Sequence, residues 1–520
     1  MTKIIIVIFF AFNSILFSQV INRMQFDRFT HYRGDDWITY APARFITSID
    51  IGDDYVYFGT RYGGILRYHM YDNVWDYPFT TSNGLSSNTI LKIVFDAGSR
   101  KLFAQTKKGI DEYNSAFDYW LPSDSESLPE RKQPDSNELQ DYLQHKNFNY
   151  PAYYRPGLSE LPNFFGSRKY EFRPPHEILD INNRKFRLNP ERIMDKFRIL
   201  WLSTDGLGPV SAEMTTQNLN FSPQSLPNIS PRDVFFDGSI VWIGGLARRR
   251  YPAGITAWQD DENTWTDFEA RYNYDIINDN IYCISGSKTF VFFGSENGLI
   301  RFNKKKDEWK SFSVFQGLES DKVNDLCFFD DQLYIATDRG FNWMAPDGKY
   351  IHETEDAKLK GINIHKILAM DSSLILAASN GLYKYDPAAD KLEFIVSKSA
   401  VMTIGVTAIN EYSDSLWTAG KNGIVLYDIK NDSWRSFPQI QDRLQTIFHD
   451  IAFTEDHVWF ACNKGLLKYD IPDNYWYLYT KKDGLASNQV FHIDTDGDNL
   501  WLSTAKGITI FRWYREDRIE

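Results

Sequence analysis

The chain has 520 residues, 43% hydrophobic and 16% aromatic, enough for a large packed core. Its net charge of −12 argues against a nucleic-acid partner and against binding to an anionic membrane surface. Cys283, Cys327 and Cys462 are the only cysteines. So sparse and odd a set excludes a disulfide framework and reads as core thiols in strands.

The first residues, MTKIIIVIFFAFNSILFSQV, place one cation before an apolar run too short for a comfortable membrane span. Ser18 and Gln19 follow as a cleavage point. Residues 1–18 are therefore expected to be a signal peptide, with an exported mature chain (periplasmic, cell-surface or secreted) over 19–520. No further run in the sequence is long and apolar enough to cross a bilayer.

Next, Trp37 to Tyr40 (WITY) reads as a strand without a partner of its own. A repeat follows. Val56 to Tyr68 reads VYFGTRYGGILRY, Val291 to Phe302 VFFGSENGLIRF, Leu333 to Met344 LYIATDRGFNWM and Leu374 to Tyr385 LILAASNGLYKY. Leu416 to Tyr427 (LWTAGKNGIVLY), Val458 to Tyr469 (VWFACNKGLLKY) and Leu500 to Phe511 (LWLSTAKGITIF) continue it. Each copy is an apolar strand, a turn with Gly at one fixed place and a second strand. A more variable strand precedes each pair, and a fourth, marked by Trp75, Trp265, Trp309, Trp434 and Trp476, follows most of them. These tryptophans read as packing residues.

The small residue of the motif recurs at Gly59, Gln105, Ser203, Gly244, Gly294, Ala336, Ala377, Ala419, Ala461 and Ser503, with a spacing of 41 or 42 from Gly294 onward. Ten units are expected. A four-stranded unit cannot bury both faces alone, so the units must stack as the blades of a β-propeller. The segment 121–196, charged and Pro-rich and then aromatic, breaks the period and reads as a long insertion. Its Tyr153, Tyr154, Phe164 and Phe165 are candidates for stacking on a sugar or docking a peptide.

The linkers NGLSSNTI (Asn83 to Ile90) and DGLASNQV (Asp483 to Val490), with the LW…G-L/I…Y-D…W motif, resemble the two-component-regulator type of propeller repeat. The resemblance covers most of Phe45 to Phe511. It implies sensing or interaction. No kinase-like stretch follows the repeats, so the expectation is a stand-alone exported propeller. The last unit stops at its third strand, and Trp37 to Tyr40 is expected to complete it and close one large all-β ring.

In a propeller the first strand of each blade lines the central channel. Aligning that strand gives Ser48, Lys92, Asp233, Cys283, Asp325, His365, Ala408, His449 and His492. Three of nine histidines thus share one position, which suggests a polar rim for a ligand or for acid–base work. Candidate ligand contacts are Lys92, Asp233, Asp325, His365, His449 and His492. A channel wall that is merely wet accounts for them as well. Asp494 to Asp498 lacks calcium-loop spacing and reads as a hairpin, and Arg248-Arg249-Arg250 as a solvated loop. No GxSxG elbow, HExxH, CxxC or P-loop is present. No cofactor, metal or catalytic residue is expected. The function read from the sequence is a binding module for an extracytoplasmic protein, peptide or glycan. The alternatives are a lyase or hydrolase using the channel His and Asp residues, and an accessory subunit of envelope or secretion machinery.

Overall fold

The computed structural model describes residues 32–130, 153–154, 164–166, 169–173, 177–213, 216–248, 253–259, 263–353, 359–395 and 405–515. The leader expected over 1–18 lies outside them, as do Arg249 and Arg250.

Ten antiparallel sheets follow one another along the chain. Numbered in chain order, they span 46–79, 90–122, 153–221, 229–268, 281–312, 323–353, 364–394, 406–436, 448–479 and 490–511. Sheet 10 has three strands of its own, and Trp37–Tyr40 is its fourth, with Trp37 opposite Phe511 and Tyr40 opposite Ile508. The repeated glycine explains why that strand fits. Gly465 has φ near +151°, and a Cβ there would lie 2.1 Å from the carbonyl oxygen of Tyr479 in the fourth strand of sheet 9. Gly507 has φ near +147°, and its Cβ would lie 2.4 Å from the carbonyl oxygen of Tyr40. Tyr40 therefore occupies in sheet 10 the place that Tyr479 occupies in sheet 9. Only glycine allows that approach.

The fourth-strand tryptophans pair with aromatics of the third strand. Tyr427 stacks on Trp434 at 4.0 Å, Tyr469 on Trp476 at 4.4 Å, and Phe302 packs on Trp309 at 4.6 Å. Such cross-strand pairs stabilise the outer part of each sheet, as their reading as packing residues anticipated.

The ten units do not form one ring. Buried apolar clusters join sheet 4 to 5, 5 to 6, 6 to 7, 7 to 8, 8 to 9 and 9 to 10. A seventh cluster, with Ile508, Ile510 and Ile38 against Val241, Ile243 and Trp258, joins sheet 10 back to sheet 4. Sheets 4–10 are thus a closed seven-bladed propeller, within the usual size for the fold. Sheets 1–3 form a separate stack in the spatial order 3-1-2. Ile193 and Trp201 of sheet 3 pack on one face of sheet 1, and Ile90, Ile93 and Trp120 of sheet 2 on the other. The stack is inserted between the strand that closes the ring and the ring's first full sheet.

The last part of the segment expected as an insertion, 170–195, belongs to a sheet, while 131–152 and 155–163 lie outside the described residues. Tyr170–Arg173, Glu177–Asp180 and Lys185–Asp195 are strands of sheet 3, with Lys185–Asp195 pairing to Ile199–Thr204. Their aromatic residues, Phe172 and Phe186, close the far face of that sheet with Leu200 and Leu202. Aromatic content there served packing, which a broken period concealed.

Candidate functional site

Every inner strand of the ring carries a β-bulge near its start, and the pairing skips one residue. Ile364 faces Ala378 and Lys366 faces Ala377; Phe448 faces Cys462 and Asp450 faces Ala461. His365 and His449 are the extra residues of these bulges. In sheet 10 the extra residue is Phe491, and His492 is the paired one. The expectation that three histidines share one position is therefore wrong by one residue in two sheets. The aligned positions hold Asp233, Cys283, Asp325, Lys366, Ala408, Asp450 and His492.

These residues meet around the ring axis. His492 Nδ1 lies 2.6 Å from Asp450 Oδ2, and Nε2 lies 3.0 Å from Asp233 Oδ1 across the junction of sheets 10 and 4. The first contact is a hydrogen bond; the second is an ion pair poorly aligned for one. Lys366 Nζ lies 3.5 Å from Asp325 and 3.8 Å from Asp450, two sheets away. Each carboxylate also accepts a backbone N–H from the next sheet: Asp233 from Ile284 at 2.6 Å, Asp325 from Ile367 at 2.7 Å and Asp450 from Ile493 at 3.1 Å.

Charge and burial compete here. Burial drives Asp450 up, but Lys366 and His492 outweigh it and hold the carboxyl well below the usual range. Burial lowers His492, yet Asp233 and Asp450 raise it well above an ordinary imidazole. Lys366 is raised for the same reason against the same penalty, by Asp325, Asp450 and Asp233. Asp325 is pushed up to about 6, chiefly by burial, with Lys366 pulling the other way. The axis is a buried ion-pair network whose charges compensate one another. Among the described residues, no group of three or more His, Cys, Asp and Glu side chains is placed to hold a metal ion.

The remaining predicted residues are scattered. Lys92, in sheet 2 of the stack, is exposed and far from the axis network. His365 is half-buried at its bulge, and burial lowers its pKa, with Lys322 adding to the effect. His449 Nε2 is 2.9 Å from Asn463 Oδ1 in a turn of its own sheet. Phe164 is buried against Phe172 in the core of sheet 3, whereas Phe165 is exposed and bridges Asn218. Tyr153 and Tyr154 form a short strand pairing with Asp195 and Met194. Lys366 and Asp450 escaped the sequence reading because a bulge leaves no mark in the residue pattern.

A second site was not foreseen at all. Where sheet 3 of the stack and the segment just before sheet 1 meet sheets 4 and 5 of the ring there is a cleft of about 800 Å³. Arg44, just before sheet 1, forms a bidentate pair with Asp267 of sheet 4 and donates to the Ser225 carbonyl at 2.8 Å. Arg184 of sheet 3 grips Glu269 through two contacts of 3.3 Å and Asp180 at 3.0 Å; the Tyr272 hydroxyl donates to Asp180. Burial pushes Glu269 up to about 7, against the pull of Arg184. Half-buried Tyr170, Phe221, Phe268 and Trp309 line the same space. The wall is thus partly aromatic, and two ion pairs, Arg44–Asp267 and Arg184–Glu269, fix charge across it between stack and ring.

No helix among the described residues is long and apolar enough to cross a membrane. No family model matches the chain, and no curated protein matches it. Similar solved structures include an extracellular domain from B. thetaiotaomicron described as that of a hybrid two component system, BT3049: 15% identity, TM-score 0.47, covering 90% of this chain and 68% of that one. A second B. thetaiotaomicron extracellular domain, of the one component system BT4673, is 14% identical with a TM-score of 0.38, covering 90% and 64%. YCF48 bound to D1 peptide is 16% identical with a TM-score of 0.44, covering 54% of this chain and 93% of that one. The propeller architecture itself rests on the sheet pairing and the inter-sheet cores described above.

Proposed function

We propose that the chain is an exported interaction module that recognises an extracytoplasmic protein, peptide or glycan, and that the cleft between stack and ring is its recognition surface. One observation carries this reading: the charged residues on the channel axis, Asp233, Asp325, Lys366, Asp450 and His492, are engaged with one another, whereas the cleft presents partly exposed aromatic faces over a wall of fixed charge. Concave, mostly apolar sites with a few placed polar groups are the usual form of a ligand pocket. Export follows from the leader, and the N-terminus of the mature protein, read by mass spectrometry, is expected at Gln19.

The test is capture from the extracytoplasmic fraction, on glycan and peptide arrays, by wild type, by the double variant Phe221→Ala/Trp309→Ala and by His492→Gln. Loss of the ligand in the cleft variant with retention in His492→Gln supports the proposal. The reverse pattern favours the channel, and with it the enzyme reading.

A further inference from the structure

The two mouths of the seven-bladed ring carry opposite charge. In each ring sheet the turn between the second and third strands is tied to the residue that opens the inner strand. Arg248 N donates to Asn228 O at 2.9 Å, Asp338 N to Lys322 O at 3.2 Å, Asn463 N to Ile447 O at 3.3 Å and Ala505 N to Gln489 O at 3.0 Å. These turns therefore rim the mouth at which the inner strands begin. They bear Arg248, Arg339, Lys421, Lys464 and Lys506, all exposed, against Glu296 and Asp338. The turns between first and second strands rim the other mouth, and there sheets 6 to 10 bear Asp331, Asp371, Asp414, Asp456 and Asp498. A cationic mouth on a chain of net charge −12 is not a consequence of composition.

The bulges supply the centre of that mouth. Arg232 is the extra residue of the sheet 4 bulge, and its guanidinium carbon lies over the ring of Phe491, the extra residue of sheet 10, 3.5 Å from the centroid. His449 meets the Phe491 ring from the next sheet at 5.6 Å, and on the other side Lys322 stands over Tyr282 at 5.7 Å. Arg232 is half-buried, and among the described residues it forms neither a hydrogen bond nor an ion pair. A half-buried guanidinium with one face on an aromatic ring and its N–H edge unengaged is shaped to take an oxyanion in bidentate fashion. Burial, reinforced by Arg248 nearby, already disfavours its charge, so an arriving anion relieves an existing penalty.

We propose that this mouth is an oxyanion-binding site, in which a carboxylate or phosphate group of a ligand docks on the Arg232 guanidinium beside Phe491 and the exposed turn cations steer it there. Lys464 and Lys506 flank the approach from sheets 9 and 10. Steering by exposed cations raises the on-rate and weakens with salt. The site is separate from the cleft and does not depend on it.

The test is calorimetric titration of the full-length mature protein with inorganic phosphate and with citrate, at low and at high salt. Saturable binding that weakens with salt is expected for at least one of the two. Arg232→Gln should lower the affinity about tenfold or more, the scale of a lost charge-assisted bidentate contact. The double variant Lys464→Glu/Lys506→Glu, confined to exposed turns and expected to fold normally, should lower it several-fold and flatten the salt dependence. Asp371→Asn/Asp456→Asn at the opposite mouth should change nothing. The better of phosphate and citrate names the chemistry. Co-sedimentation with phosphatidylglycerol vesicles, lost in Arg232→Gln, assigns the group to a lipid headgroup; no sedimentation assigns it to a soluble ligand. Absence of binding at low salt overturns the proposal. So does an affinity untouched by Arg232→Gln, or one lowered equally by the opposite-mouth variant.

Discussion

The ring and the stack are built from the same repeat and treat its innermost polar position in two ways. In the ring, seven such positions converge, and Lys366 reaches carboxylates one and two sheets away. In the stack only the local part survives: Ser48 Oγ accepts the N–H of Ile93 at 3.1 Å, and Asp50 accepts that of Phe95 at 2.9 Å. One sheet further on, Lys92 stands in solvent. The inter-sheet hydrogen bond needs two neighbouring sheets and nothing more. The charge network needs closure, because its members come from sheets 4, 6, 7, 9 and 10. The stack ends where the far face of sheet 3 is covered by its own Phe164, Phe172 and Phe186.

The sharpest way to break the comparison is to remove the central cation. Lys366→Met leaves Asp325 without its cation in a buried axis and weakens the compensation of Asp450, and should cost about 3–5 kcal/mol, the scale of breaking a buried ion pair from one side. Denaturant unfolding that resolves ring from stack should show the loss in the ring transition. Next comes closure itself. Trp37 is 1% exposed and stacks on Phe511 at 3.8 Å. Trp37→Ala should cost about 3 kcal/mol and open the seam between sheets 9 and 10, read as faster amide exchange in Gly507–Phe511.

The network also gives the ring a pH signature. His492 is raised well above the ordinary imidazole value by Asp233 and Asp450 once burial is outweighed. Its contribution is complete below about pH 6.5 and is lost as pH rises through the folded value. Asp450 is held low, so its contribution is present above about pH 4 and lost as pH falls through its folded value. Asp325, raised to about 6, acts in the opposite sense and favours the fold less as pH rises from about 4 to 6. Unfolding midpoints from neutral to alkaline pH should therefore fall in wild type and stay flatter in His492→Gln. An unchanged alkaline slope in that variant would place its origin outside the network.

Most of the fold was legible because it rests on local signals. Alternating apolar residues, the turn glycine and the fourth-strand tryptophan each have a contact that requires them, and Trp37–Tyr40 pairs where the truncated last unit left room. The blade count was not legible. Sheets 1 and 3 carry the same inward pattern as ring sheets, and the residues that cap sheet 3 have the composition of a loop insertion. The site was half legible. Asp233, Asp325 and His492 were found, but the bulge displaced the reading from Lys366 to His365 and from Asp450 to His449. The cleft was invisible: Arg44 with Asp267, and Arg184 with Glu269, are separated by 223 and 85 residues, and no spacing rule links them.

The smallest expected effect completes the comparison. Lys92→Met alters the same register position as Lys366→Met, with the same change of side chain. Lys92 is exposed and forms no ion pair among the described residues, so stability should change by no more than about 0.5 kcal/mol, as for an ordinary surface substitution. The two variants hold residue type and strand register constant and differ only in whether the sheets around them close on themselves. A large loss in Lys92→Met would mean that the stack is itself part of a closed assembly in solution, completed by another chain. Equal and small losses in both would mean that the axial cation in the ring is replaceable by an apolar side chain, and that burial of the carboxylates is relieved by protonation instead. The difference between the two unfolding free energies, measured at the same pH, is the free energy that ring closure adds to one lysine.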